Sequence, residues 1–145
     1  MLLIKQVGVF INILNCRMKK HFAEMFKTKG INLTAEQYLV MDTLWDEGKM
    51  SQQSIANLIQ KDKNSVTQFI DTLETKGLVF RTVDKTDRRV NNIEVSEAGQ
   101  NLKESTTEVA IDTMKEILKD ISEADLQTFV NVLCKMNENI KSISF

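Results

Sequence analysis

Apolar residues recur along most of this chain at the three- and four-residue spacing of a helix, and the pattern changes once, near residue 78. Between residues 2 and 28, Leu3, Val7, Phe10, Ile11, Leu14, Phe22, Met25 and Phe26 fall on one side of a long amphipathic helix. Residues 27–30 end it with cations and a glycine. Thr34 caps a second helix that carries Tyr38, Leu39, Met41, Leu44 and Trp45 inward and stops near Gly48. Ser51 starts a short helix with Ile55, Ala56, Leu58 and Ile59 as its apolar side. Asp62 caps the next, where Val66, Phe69, Ile70 and Leu73 form the stripe and Gly77 takes the C-terminal position.

Residues 78–83 and 90–95 are instead rich in Val, Ile, Phe and Thr, and the polar residues 84–89 separate them. This predicts a β-hairpin with a charged tip. Two helices follow. Ser96 caps one, spanning about 97–120 with Leu102, Val109, Met114, Ile117 and Leu118 on its apolar side. Ser122 caps the other, with Asp125 as a weak capping-box partner and Leu126, Phe129, Val130, Leu133, Met136 and Ile140 following. The fold class is therefore mainly α with a small β-hairpin wing, in one domain over residues 1–145.

A chain of 145 residues excludes most large enzyme folds. It holds no proline, so its turns fall to Gly, Asn, Asp and Ser. The apolar N-terminus resembles a signal peptide. Against that, Lys5 is its only early cation, no small-residue cleavage site follows, and Arg17, Lys19 and Lys20 come next, so it reads as a helix of the mature protein. No apolar stretch is long enough to span a bilayer, and no membrane partner is expected. Cys16 and Cys134 form no dense disulfide pattern, which points to a reducing cytoplasm and to two buried free thiols.

The formal net charge of −1 hides an asymmetry: residues 1–33 carry +5, residues 34–95 carry −2 and residues 96–145 carry −4. Near-neutrality argues against indiscriminate coating of nucleic acid but permits cations gathered on one surface. Residues 49–89 hold eight cations against five anions. Within them, two short helices joined at Gln60 and Lys61 run straight into the hairpin, the order of a winged helix-turn-helix. With its apolar stripe removed, the second of these helices presents Lys63, Asn64, Ser65, Thr67, Gln68, Asp71, Thr72 and Thr75. Short hydrogen-bonding groups of this kind read base edges or hold phosphates when a helix N-terminus enters the major groove. A polar, solvated helix face is the competing reading. Lys85, Arg88 and Arg89 at the hairpin tip can reach phosphates or a narrow minor groove, while Asp87 beside them also suits a turn.

Leu33-Thr34, Gln37-Tyr38, Val66-Thr67 through Leu73, Lys76-Gly77-Leu78-Val79, Arg81, Asp87-Arg88-Arg89 and Val95-Ser96-Glu97-Ala98-Gly99 together resemble the multiple-antibiotic-resistance regulator (MarR) family of bacterial transcription factors. The Asp-x-Arg wing signature and the turn that follows it are the specific part. The resemblance implies a homodimer whose interface is built by residues 1–30 and 97–145, with residues 34–95 as the DNA-binding winged helix-turn-helix. It makes Arg89 the arginine that enters the minor groove and Asp87 the acid that fixes the wing by a charge pair. It also places Ser65, Thr67 and Gln68 where a recognition helix meets bases and phosphates. Gln68 departs from the arginine common in the family, which implies a different base preference. Independently of the resemblance, the long outer helices carry more apolar surface than one small winged domain can cover.

No Ser/His/Asp or Cys/His set can be assembled around His21, the only histidine, and there is no glycine-rich phosphate loop. The chain is read as no enzyme, without cofactor or metal: Cys16 and His21 supply two ligands at most. A small aromatic or anionic effector is a candidate partner where the outer helices meet the winged region, with Arg17, Lys20, Met41 and Trp45 as neighbours. The expected function is a cytoplasmic, sequence-specific repressor bound as a homodimer to a pseudo-palindromic DNA operator, its recognition helices roughly 34 Å apart. Two alternatives stay open: a winged-helix module that binds protein, and a redox-sensing regulator working through Cys16.

Overall fold

The computed structural model describes residues 2–143. Its elements are α1 (Leu3–Thr28), α2 (Ala35–Glu47), β1 (Met50–Ser51), α3 (Gln52–Ile59), α4 (Lys63–Thr75), β2 (Val79–Val83), β3 (Asn91–Val95), α5 (Glu97–Asn101), α6 (Lys103–Ile117) and α7 (Glu123–Ser142). The residues group into two compact units divided within α6, the first ending at Thr113 and the second beginning at Met114. The expected mainly helical fold with a β-hairpin wing is present.

Helix starts follow the capping chemistry of the sequence. Thr34 and Gln37 form a reciprocal capping box, and the side chains of Ser51, Asp62, Ser96 and Ser122 each accept an amide hydrogen bond from the third residue beyond. Gly77 follows α4 at φ +75°, a left-handed conformation that glycine adopts without penalty. The α3–α4 turn uses Gln60 at φ +56°, held by a bond from its Nε2 to the Asn57 carbonyl.

The first unit packs around Phe26, Val40, Met41, Leu44, Ile55, Val66, Ile70, Leu73 and Ile93, all fully or almost fully buried. Lys76 ties the end of α4 to the α1–α2 connection, donating to the Asn32 carbonyl at 2.7 Å and to Gln37 Oε1 at 2.9 Å. Its partial burial lowers the ammonium pKa.

Four sequence expectations need correction. Met50 and Ser51 form a third strand, paired antiparallel with Ile93 and Asn92, so the sheet order is β1-β3-β2. Two residues are too few to show alternation. The single helix expected over 97–120 is two, broken at Leu102, whose amide donates to the Gly99 carbonyl in a tightened turn. Leu39 and Leu58 are exposed, because each lies off the buried stripe of its helix. Cys16 and Cys134 are exposed rather than buried. Among the described residues α1 buries Phe26 and α7 buries none, so many apolar residues expected to be inward on these helices are exposed.

Candidate nucleic-acid interface

The N-terminus of α4 is built by Asp62, whose Oδ1 accepts the Ser65 amide and whose Oδ2 accepts the Ser65 hydroxyl, both at 2.8 Å. These bonds hold the Asp62 carboxyl below its ordinary pKa, so the cap is ionised at neutral pH. Lys63, Asn64 and Gln68 are exposed on this first turn and a half. The hydroxyls of Ser65 and Thr67 are already engaged. Thr67 Oγ1 donates to the Lys63 carbonyl at 2.9 Å and accepts from Gln52 Nε2 at 2.6 Å. Asp71, counted among the outward polar residues, is held by Arg81 of β2 at 2.6 Å.

The hairpin tip is organised by two aspartates. Asp84 accepts from the Thr86 amide and hydroxyl, the Asp87 amide and Asn92 Nδ2, at 2.7–3.2 Å. That concentration of donors pulls its carboxyl far below the usual range. Asp87 Oδ1 accepts from the Arg89 amide at 3.0 Å and Nε at 3.1 Å, and Oδ2 from Nη2 at 3.2 Å. The Arg89 guanidinium is the main cause of the lowered Asp87 pKa. The Arg89 side chain is nonetheless 91% exposed, so the pair aims the guanidinium without burying it. Lys85 and Arg88 are exposed on the same tip.

A cleft of about 210 Å³ joins the two parts, lined by Ser51, Gln52, Gln53, Lys63, Arg89, Val90 and Asn91. Lys63 and Arg89, from different elements, thus face one space rimmed by amide and hydroxyl groups. The α4 N-terminus, one wing cation and the start of α3 form a single polar, cationic surface suited to a phosphate backbone.

The MarR family model matches residues 33–90, from just before α2 to the end of the wing tip. The chain is 27% identical over 114 residues to the uncharacterized HTH-type transcriptional regulator YdgJ of Bacillus subtilis (strain 168), covering 79% of this chain and 68% of that protein. Residues 33–90 carry the MarR-family domain. The chain is a winged helix-turn-helix transcriptional regulator and not an enzyme. Two solved structures have the same fold. One is a cysteine-to-serine mutant of MarR from E. coli complexed with operator DNA, with TM-score 0.84 at 20% identity over 92% of this chain and 94% of that one. The other is Bordetella bronchiseptica BpsR, whose DNA binding is regulated by 6-hydroxynicotinic acid, with TM-score 0.82 at 24% identity over 91% and 98%.

The four residues expected around an effector differ in burial. Met41 is core, and Trp45 is buried with Nε1 donating to the Gly99 carbonyl at 3.2 Å, while Arg17 and Lys20 are exposed. Both α2 residues lie on the buried stripe of their helix, which periodicity marks as apolar without distinguishing core from cavity. An open cavity of about 370 Å³ lies nearby, between α1, the start of α2 and the end of α3, with Met18, Lys19, Phe22, Glu36, Tyr38, Leu39, Ile59 and Lys61 in its lining. Phe22 and Tyr38 stack there at 6.4 Å. Lys19 pairs with Glu36 at 2.9 Å and lowers its pKa. Burial, then Asp42 and Asp46, push the Tyr38 hydroxyl up to about 12.

Gln52, Asn91 and Asp84 escaped sequence reasoning. Asp84, two residues before Thr86, carried the signature of a side chain that turns back on its own backbone. Gln52 carried none, because its partner Thr67 is brought near only by the helix-turn-helix. Among the described residues no cluster of three or more His, Cys, Asp or Glu can hold a metal, and no helix is long and apolar enough to cross a membrane.

Proposed function

We propose that this chain is a cytoplasmic homodimeric repressor that reads a pseudo-palindromic operator, each subunit placing α4 in a major groove and Arg89 in the adjoining minor groove. The convergence of Lys63 and Arg89 on one cleft beside the α4 N-terminus carries this reading. Lys63, Asn64 and Gln68 are assigned to the groove. Ser65 and Thr67, whose hydroxyl hydrogens are donated to Asp62 and to the Lys63 carbonyl, meet a phosphate oxygen by turning that hydrogen toward it or else shape the helix start. Lys85 and Arg88 join Arg89 on the backbone at the wing.

Residues 1–30 and 97–145 are assigned to the dimer interface. On α1, Leu3, Ile4, Phe10 and Leu14 are exposed, as are Phe129, Val130, Val132 and Ile140 on α7. Apolar surface of that extent is stable in water when a second copy covers it. The cavity beside Phe22 and Tyr38 is assigned to a small aromatic anion, with the rings stacking on it and Lys61 supplying charge. Such an effector releases DNA only by its preference for the subunit spacing that does not fit the operator.

Selection of the purified protein against random duplex DNA at near-physiological salt tests the proposal. An inverted repeat with half-sites about 10 base pairs apart is the expected result. No enrichment by a folded dimer refutes operator recognition. The protein-binding alternative predicts weak salt dependence for any partner captured, whereas DNA affinity must fall steeply with log salt.

A further inference from the structure

We propose that Arg81, gripped by Asp71 and Glu74, is a positioning residue that sets the placement of the wing relative to the recognition helix and so decides whether Arg89 reaches DNA. The inference rests on the wing reading proposed above and adds to it a residue that need not touch DNA.

Arg81 sits in the middle of β2, opposite Ile93. Its Nη2 donates to Asp71 Oδ1 at 2.6 Å and its Nη1 to Glu74 Oε1 at 2.9 Å, while its backbone amide donates to Glu74 Oε2 at 3.2 Å. Asp71 and Glu74 are three residues apart on α4 and therefore face the same side. One guanidinium thus spans most of a turn of the recognition helix, in the fork geometry that fixes direction as well as distance. Among the described residues, every side-chain hydrogen bond and ion pair formed between α4 and the hairpin runs to Arg81.

The leverage comes from the length of the hairpin. The chain leaves α4 through Gly77, at φ +75°, and extends eight residues to Lys85 at the tip, roughly 25 Å at strand rise. The tip is stiffened by the Asp84 bonds, so a tilt at the base is carried to its end. A tilt of about 10° moves Arg89 by roughly 4 Å, more than the full tolerance of a hydrogen bond to phosphate. The short β1 strand restrains the far side of the sheet at only two positions, and on the α4 side Arg81 adds a directional polar tie to the apolar packing of the core.

Electrostatics makes the test discriminating by sign. Removing the carboxylates of Asp71 and Glu74 takes two anions from a DNA-facing helix, which by charge alone tightens binding. Loss of the strut weakens it. The measurement is the dissociation constant for a duplex selected by the wild-type protein, taken for four proteins: wild type, Asp71→Ala with Glu74→Ala, Arg89→Ala, and all three changes together. Alanine favours the helix, and thermal unfolding checks each variant. The expected result is a loss of about fivefold from the paired carboxylate change when Arg89 is present, and less than about twofold when it is absent. Tighter or unchanged binding overturns the proposal, and so does an equal loss in both backgrounds. If the paired variant does not fold, Arg81→Lys and Arg81→Gln enter the same cycle: the lysine, which keeps one arm, is expected to lose less than the glutamine, and equal losses overturn the strut. An Arg89→Ala protein with wild-type affinity and salt slope refutes the wing reading itself, a result separate from additivity.

Discussion

Replacing Gly99 with alanine pits helix propensity against tertiary packing. Gly99 is the third residue of α5, and propensity alone predicts that alanine there stabilises by roughly 0.5–1 kcal/mol. The structure predicts the opposite. A Cβ on Gly99 runs into the backbone carbonyl oxygen of Leu78 and comes within 2.8 Å of Val95 Cγ1. Leu78 cannot yield easily, because its carbonyl accepts the Ser96 amide at 3.0 Å and its own amide donates to Leu73. The helix must therefore lift from the base of the hairpin. Forced insertion of one methyl costs about 1–3 kcal/mol. Lifting the helix also strains the Trp45 Nε1 bond to the Gly99 carbonyl, worth about 1 kcal/mol. Set against the propensity gain, the net loss is about 2 kcal/mol. Urea denaturation should show a lower midpoint at unchanged slope, and the melting temperature should fall by roughly 6 °C for a chain of this size. The exposed neighbour Ala98, changed to glycine, should lose only about 1 kcal/mol. A Gly99→Ala protein as stable as wild type, or more so, refutes the close-packing account of this turn.

Arg89→Ala should weaken operator binding several-fold and reduce the salt slope by about one unit per subunit, measured by fluorescence anisotropy over a salt series; an unchanged slope removes Arg89 from the DNA. Gln68→Ala should alter which sequences are selected from a random pool more than it alters nonspecific affinity, and a uniform loss over all sequences reassigns Gln68 to phosphate. Asp84 and Asp87 have folded pKa values depressed below the ordinary carboxylate value of about 3.9, so their contribution to wing order is complete above that pH and disappears as pH falls through the lower folded values. The amide resonances of Thr86, Asp87 and Arg89 should accordingly hold their positions down to about pH 4 and move only below it. Movement between pH 5 and 6 contradicts that order of events. Phe10→Glu, placing a charge on the exposed apolar face of α1, should shift the sedimentation-equilibrium mass from dimer toward monomer, whereas a purely monomeric wild type refutes the dimer outright.

Local chemistry was legible in the sequence wherever the deciding partner lies within a few residues. Thr34, Ser51, Asp62, Ser96 and Ser122 cap their helices as their types and positions indicate, and Gly77 closes α4, because a cap is settled by the next three or four residues. The turn that Asp87 makes with the Arg89 amide belongs to the same class, whereas its charge pair with the Arg89 side chain was implied by the family resemblance. What the sequence did not determine depends on residues distant in the chain. The strand at Met50–Ser51 exists because β3 passes beside it, some forty residues on. The break at Leu102 lies beside Gly99, which is pressed on Leu78. Met41 and Trp45 are apolar on a helix in any reading, and only the surrounding sheet and helices make them core rather than pocket lining. Gln52 on Thr67 and Arg81 on Asp71 and Glu74 are likewise invisible to periodicity, which reports the face a residue occupies and not what the folded chain brings against it. The exposed apolar faces of α1 and α7 mark the same limit: amphipathic spacing fixes that a face seeks cover, while tertiary contacts decide whether one chain can supply it.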